Sequence, residues 1–150
     1  MATITSLLKA ATGNSQRGRN PYMVENTIDI VATTVDPSSG DVVQAITIPA
    51  GTKILAAGVE VVESATMNTG TDATVTLGAA DADEYVTAFD IDGASDGDYA
   101  PSVTVSADVV LASADTLDLT FAGTGASFTA GKLRVYAIMM DVSSQGDTSA

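Results

Sequence analysis

The sequence predicts an all-β protein: a single eight-stranded antiparallel β-sandwich, jelly-roll-like, with an extended N-terminal arm. Three observations lead there. Val, Ile and Thr make up 44 of the 150 residues, and β-branched side chains suit a pleated surface. Apolar and polar residues alternate with period 2 along several stretches. Turn residues recur between those stretches with no helical pattern in between, which argues a sandwich.

The elements follow in chain order. Residues 1–23 carry Lys9, Arg17 and Arg19 and no acid, a charge of +3. Gly13 to Pro21 is polar and rich in breakers, and Thr3 to Ala11 offers too few turns for a free-standing helix. This segment reads as an arm. Residues 24–142 form the sandwich domain, with strands expected at 27–35, 42–48, 53–63, 73–79, 84–91, 103–112, 116–122 and 132–142. Val103 to Leu111, Leu117 to Phe121 and Ala73 to Leu77 each alternate, with one dry and one wet face, as antiparallel strands do. Turns are expected at Asp36–Gly40, Pro49–Thr52, Asn68–Gly70, Asp92-Gly93, Gly123–Gly125 and Ala130-Gly131. Residues 143–150 are small and polar, a flexible tail.

Composition excludes much chemistry. Cys, His and Trp are absent, so there is no disulfide, imidazole base, thiolate nucleophile or Cys/His metal site. Acids outnumber bases 19 to 6, for a net charge of -13. No membrane partner is expected: the apolar stretches fall well short of the roughly 18 residues a spanning helix needs, and the first residues make a poor signal peptide. An enzyme is not expected, since a paired-carboxylate hydrolase would have only three Phe and four Tyr to build a cleft, and no cofactor motif is present.

Two segments invite a site. The acidic run from Asp81 to Asp98 offers Asp90, Asp92, Asp96 and Asp98 as candidate ligands for a divalent ion such as calcium. It departs from the EF-hand pattern at Ala94 and Ser95, and a solvated loop is the plainer reading. The arm offers Arg17 and Arg19. Three charges suffice only for weak nucleic-acid binding, which a body at -16 opposes, so a protein surface is the expected partner, with Tyr22 beside it. The last strand is apolar on both faces. Leu133, Val135, Ala137 and Met139 line one, and Tyr136, Ile138 and Met140 the other. Such a strand is either central and covered on both sides, or meets another subunit of a homo-oligomer. Ile54 to Val62 has the same two-sided character.

Ile46-Thr47-Ile48-Pro49-Ala50-Gly51-Thr52-Lys53-Ile54, followed by Gly58-Val59-Glu60-Val61-Val62, resembles small structural proteins of tailed bacteriophages. Val75 to Asp83, running on to Tyr85 and Phe89, and Thr129-Ala130-Gly131-Lys132-Leu133 before the last strand extend the resemblance over about residues 42–142. The chain is similar to capsid decoration (cement) proteins, particularly those of cyanobacterial phages. The resemblance implies a β-sandwich on the outer capsid surface of the virion, bound to the major capsid protein, assembled as a homotrimer, and without catalytic residues. Neck, tail and head-fibre components share the same texture. A calcium- or carbohydrate-binding sandwich module is the alternative from another class.

Overall fold

A computed structural model describes residues 20–31, 35, 37–101 and 110–142. Five strands follow one another: β1 (Tyr22–Asp29), β2 (Val42–Ile48), β3 (Thr52–Gly78), β4 (Val86–Asp90) and β5 (Asp115–Asp141). All pairings are antiparallel, and there is no helix among the described residues. The all-β, antiparallel expectation holds.

The strand count is corrected. β3 and β5, each 27 residues long, pair along their whole length. Register shifts between Glu63 and Thr74 divide each into two halves. Counting those halves, the five strands supply seven segments rather than eight, in two antiparallel sheets that do not close into a barrel. The first sheet joins β1, the end of β5 and the start of β3. The second joins β2, the start of β5, the end of β3 and β4. The turns expected at Asn68–Gly70, Gly123–Gly125 and Ala130-Gly131 are therefore not reversals; the strands run through them. Glycine at positive φ serves a bulge as readily as a hairpin turn. Gly131, at φ 144°, shows why no side chain fits: an added Cβ would lie 2.5 Å from Ile30 Cδ1 and 3.1 Å from Ala65 Cα. The expected strand at 103–112 falls mostly outside the described residues; Val110 forms an isolated bridge to Lys53.

Period-2 alternation decides which face is dry. Leu117, Leu119 and Phe121 of β5 are buried with Ala73, Val75 and Leu77 of β3 and Ile46 and Ile48 of β2. Leu133, Val135, Ala137 and Met139 are buried with Val59 and Val61 of β3 and Ile28 of β1. These residues make one continuous apolar cluster, and each fully buried Leu, Ile or Val contributes about 1.5–3 kcal/mol relative to exposure.

The first half of β3 has β5 on one side only, and its other edge is covered by irregular chain. Leu111 N donates to Thr52 O at 3.0 Å, Ala100 N to Val59 O at 2.9 Å and Val61 N to Asp98 O at 2.8 Å. Ile91 continues the cover, accepting from Ala65 N at 3.3 Å and donating to Ala73 O at 2.9 Å. A bare edge would present a row of unpaired backbone groups to any other chain.

Candidate functional site

The acidic run is part of that edge cover. Asp90 Oδ1 accepts from Gly93 N at 2.8 Å and Asp92 Oδ1 from Ala73 N at 2.8 Å. Asp98 Oδ2 accepts from Ser95 N at 2.8 Å. Asp96 Oδ1 accepts from both the backbone N and the Oγ of Ser64, each at 2.7 Å, and these two bonds hold its carboxyl below the usual carboxylate range. Asp90 and Asp98 close local turns in this way, whereas Asp92 and Asp96 tie the segment to β3. Each carboxylate serves a different stretch of backbone, and among the described residues no three acidic side chains gather where they could share a metal ion.

The outer faces of the two sheets differ. On the second, Gln44 of β2, Asp118 and Thr120 of β5 and Thr74 and Thr76 of β3 lie in register, and Gln44 Nε2 donates to Thr116 Oγ1 at 3.2 Å. That face is polar. On the first, three rows cross the sheet: Thr27, Arg134 and Glu60; Glu25, Tyr136 and Gly58; Met23, Ile138 and Ala56. Opposed residues in an antiparallel pair share a face, so Tyr136, Ile138 and Met140 stand together outward from the core. They are half-buried, with β1 and β3 flanking β5 on either side. Tyr22 opens β1 opposite Met139 and is exposed. Arg17 and Arg19 lie outside the described residues.

Gly58 gives this face its shape. A Cβ there would meet the Tyr136 hydroxyl at 2.5 Å and its Cζ at 2.7 Å, so the phenol ring lies in space that only glycine leaves open. Tyr99, delivered by the irregular chain beside β3, meets Tyr136 edge to face with centroids 6.1 Å apart, a preferred aromatic geometry. Arg134 Nη1 donates to Glu60 Oε2 at 2.9 Å. Burial first, then Glu60 through its charge and a hydrogen bond, raises the Tyr99 phenol above its ordinary value. Met23, Glu25, Glu60, Tyr99, Arg134 and Tyr136 together line an open cleft of about 350 Å³. Tyr99 and Met23 are 57% and 60% exposed, which is high for large side chains of this kind. Aromatic residues, Met and Arg are the types enriched at protein interfaces. Tyr136 was marked by the period of β5. Tyr99 carried no signal, since it reaches the cleft from a segment distant in sequence through a single bridge between Glu60 and Tyr99.

No protein-family model matches the chain, and no curated protein matches it significantly. Solved structures do. A chain in the cyanophage Pam1 capsid asymmetric unit superposes with a TM-score of 0.61 at 19% identity, over 93% of this chain and 97% of that one. A chain in the capsid of Ralstonia phage GP4 gives 0.59 at 12% identity, over 81% and 86%. One in the acidic stable capsid structure of Helicobacter pylori bacteriophage KHP30 gives 0.57 at 16% identity, over 82% and 89%. The fold of this chain, over 81% to 93% of its length, is thus one found in three phage capsid structures.

Proposed function

We propose that this chain is a non-enzymatic structural protein of a tailed-phage virion, a decoration (cement) protein that binds the outside of the capsid and reinforces it. The observation that carries the reading is the near-complete mutual coverage with a chain of the Pam1 capsid asymmetric unit, 93% of this chain and 97% of that one. The sequence resemblance to decoration proteins points the same way. In this reading the two sheets pack as a jelly-roll-like sandwich, the protein is a homotrimer, and the major capsid protein is its partner. The outward residues Tyr136, Ile138 and Met140, with Tyr22, serve contacts between copies. The arm, residues 1–23, acts through Arg17 and Arg19 as a tether, which strengthens attachment by raising the effective concentration of the second contact. Asp90, Asp92, Asp96 and Asp98 serve the fold of their loop rather than a metal ion.

The test uses phage shells that lack this protein. Adding the purified chain should give stoichiometric binding to intact shells and a higher rupture temperature. Shells that bind it but rupture at the same temperature would remove the reinforcing role, and failure to bind would remove the decoration reading.

A further inference from the structure

We infer that the outer edge of β1 pairs with the same edge of a second copy of this chain, strand to strand, about a two-fold axis at Asn26. Backbone direction is the first argument. Ile30 N donates to Gly131 O at 3.2 Å. The register then runs without a shift from Asp29 opposite Lys132 to Tyr22 opposite Met139, so Ile28, Asn26, Val24 and Tyr22 are the residues that bond β5. In an antiparallel ladder the alternate residues turn their N–H and C=O groups away from the partner strand. Met23, Glu25, Thr27 and Asp29 therefore direct theirs to the side of β1 opposite β5, where no strand lies among the described residues.

Regularity is the second. The other edges are blunted. Irregular chain covers the first half of β3, β2 is bulged at Ala45, whose carbonyl accepts from Asn26 Nδ2 at 2.9 Å, and β4 has only five residues. β1 runs for eight residues with no register shift and holds neither Lys nor Pro. It lacks the devices that keep an edge from pairing.

Self-complementarity is the third, and it selects the occupant. Outward-directed groups must meet outward-directed groups, so odd-numbered residues pair with odd-numbered ones. With Asn26 on the axis, Glu25 stands opposite Thr27 of the second copy, Met23 opposite Asp29 and Val24 opposite Ile28. Every outward N–H and C=O from Met23 to Asp29 then finds a partner. Moving the axis to Glu25 sets that residue against itself, and moving it to Thr27 sets Glu25 against Asp29; like charges directly opposite destabilise a strand pair. The contact uses the edge of the first sheet, not its outer face. It is separate from the contact proposed at Tyr136, Ile138 and Met140, and it is read on the isolated protein without shell binding.

The chain has no cysteine, so an introduced thiol reports pairing without background. Asn26→Cys would set two Cα atoms about 4.5 Å apart across the axis, within disulfide reach. Asp29→Cys on the same edge would set them roughly 20 Å apart, and Gln44→Cys lies on the other sheet. Under mild oxidation at about 0.15 M salt, where repulsion between chains is screened, Asn26→Cys should give covalent dimer in about fivefold or greater excess over either control. Adding Thr27→Pro removes an N–H that points away from β5, so the β1–β5 ladder is kept, and the yield should fall about fivefold or more. In the wild type the amides of Met23, Glu25, Thr27 and Asp29 should exchange more slowly when protein concentration rises about tenfold. Equal yields at the three cysteine positions, or a yield indifferent to Thr27→Pro, overturn the inference. Amide exchange independent of concentration overturns it too: slow exchange would mean that the chain covers its own edge, and fast exchange that the edge stays unpaired.

Discussion

Gly58 and Gly131 do opposite things with the same missing atom. Gly58 admits the far end of a mobile ring, whereas Gly131 admits Ile30 and the backbone at Ala65. Gly58→Ala should therefore leave thermal stability within a few degrees while displacing Tyr136, visible as loss of the Tyr99–Tyr136 contact in aromatic NMR spectra. Gly131→Ala adds backbone strain at φ 144° to a clash with fixed groups. It should cost about 1–3 kcal/mol in urea unfolding, and an unchanged midpoint would deny that the bend is strained. Tyr85 supplies a prediction in pH. Burial first, then the neighbouring Glu84, pushes its phenol from 10.0 up to about 12. A raised folded value stabilises fully below pH 10 and loses its contribution as pH climbs through 12. The loss is on the order of 2 kcal/mol. Tyr85→Phe should flatten this alkaline slope, and a slope unchanged by the substitution would assign it to other groups.

At the scale of elements, two long strands carry the molecule. β3 and β5 pair along their full length and β1, β2 and β4 attach to them, so side chains at the β5 centre support both neighbours. Leu133 is fully buried between Ile28 of β1 and Val61 of β3, and Leu133→Ala should cost about 2–5 kcal/mol by chemical denaturation. The irregular chain over the β3 edge is held by backbone hydrogen bonds and by two carboxylates, Asp92 and Asp96, on N–H groups of β3. Asp96 has a depressed folded value because Ser64 donates to it twice. Its clamp is thus present above the ordinary carboxylate value and released as pH falls through the lower one. The Ser64 amide resonance should titrate below the normal carboxylate range in the wild type and not at all in Asp96→Asn.

For the whole molecule, the contrast between its two outer faces sets the expectation. The outer face of Gln44, Thr74 and Thr120 is mostly polar, while the face of Tyr136, Ile138 and Met140 is apolar and gains from a partner. Ile138→Glu should convert the proposed trimer to folded monomers in sedimentation, since an unpaired charge buried in the contact costs several kcal/mol. Unfolding of the monomer would instead make Ile138 a core residue. The position between Ala56 and Met23, half-buried within one chain, argues for the first outcome.

The alternation of Leu117, Leu119 and Phe121, and of Ala73, Val75 and Leu77, was enough by itself to determine strands with one dry face, because side-chain direction in a strand is local geometry. The bounds of β2 at 42–48 were legible for the same reason, with turn residues on both sides. The two-sided apolar character of 132–142 left open a central strand or a subunit contact, and its position between β1 and β3 is what the structure added. What only the tertiary structure decided was continuity and assembly. Asn68–Gly70, Gly123–Gly125 and Ala130-Gly131 carry the chemistry of a turn and of a bulge alike, and the choice depends on whether the partner strand also continues, which is non-local information. The division of labour in the acidic run was equally hidden: composition counts carboxylates, but which amide each one faces depends on a β3 edge some thirty residues away, at Ser64 for Asp96. The cleft needed Tyr99 brought to Gly58 and Tyr136 from three separate segments, and no period in a single segment encodes a meeting of three.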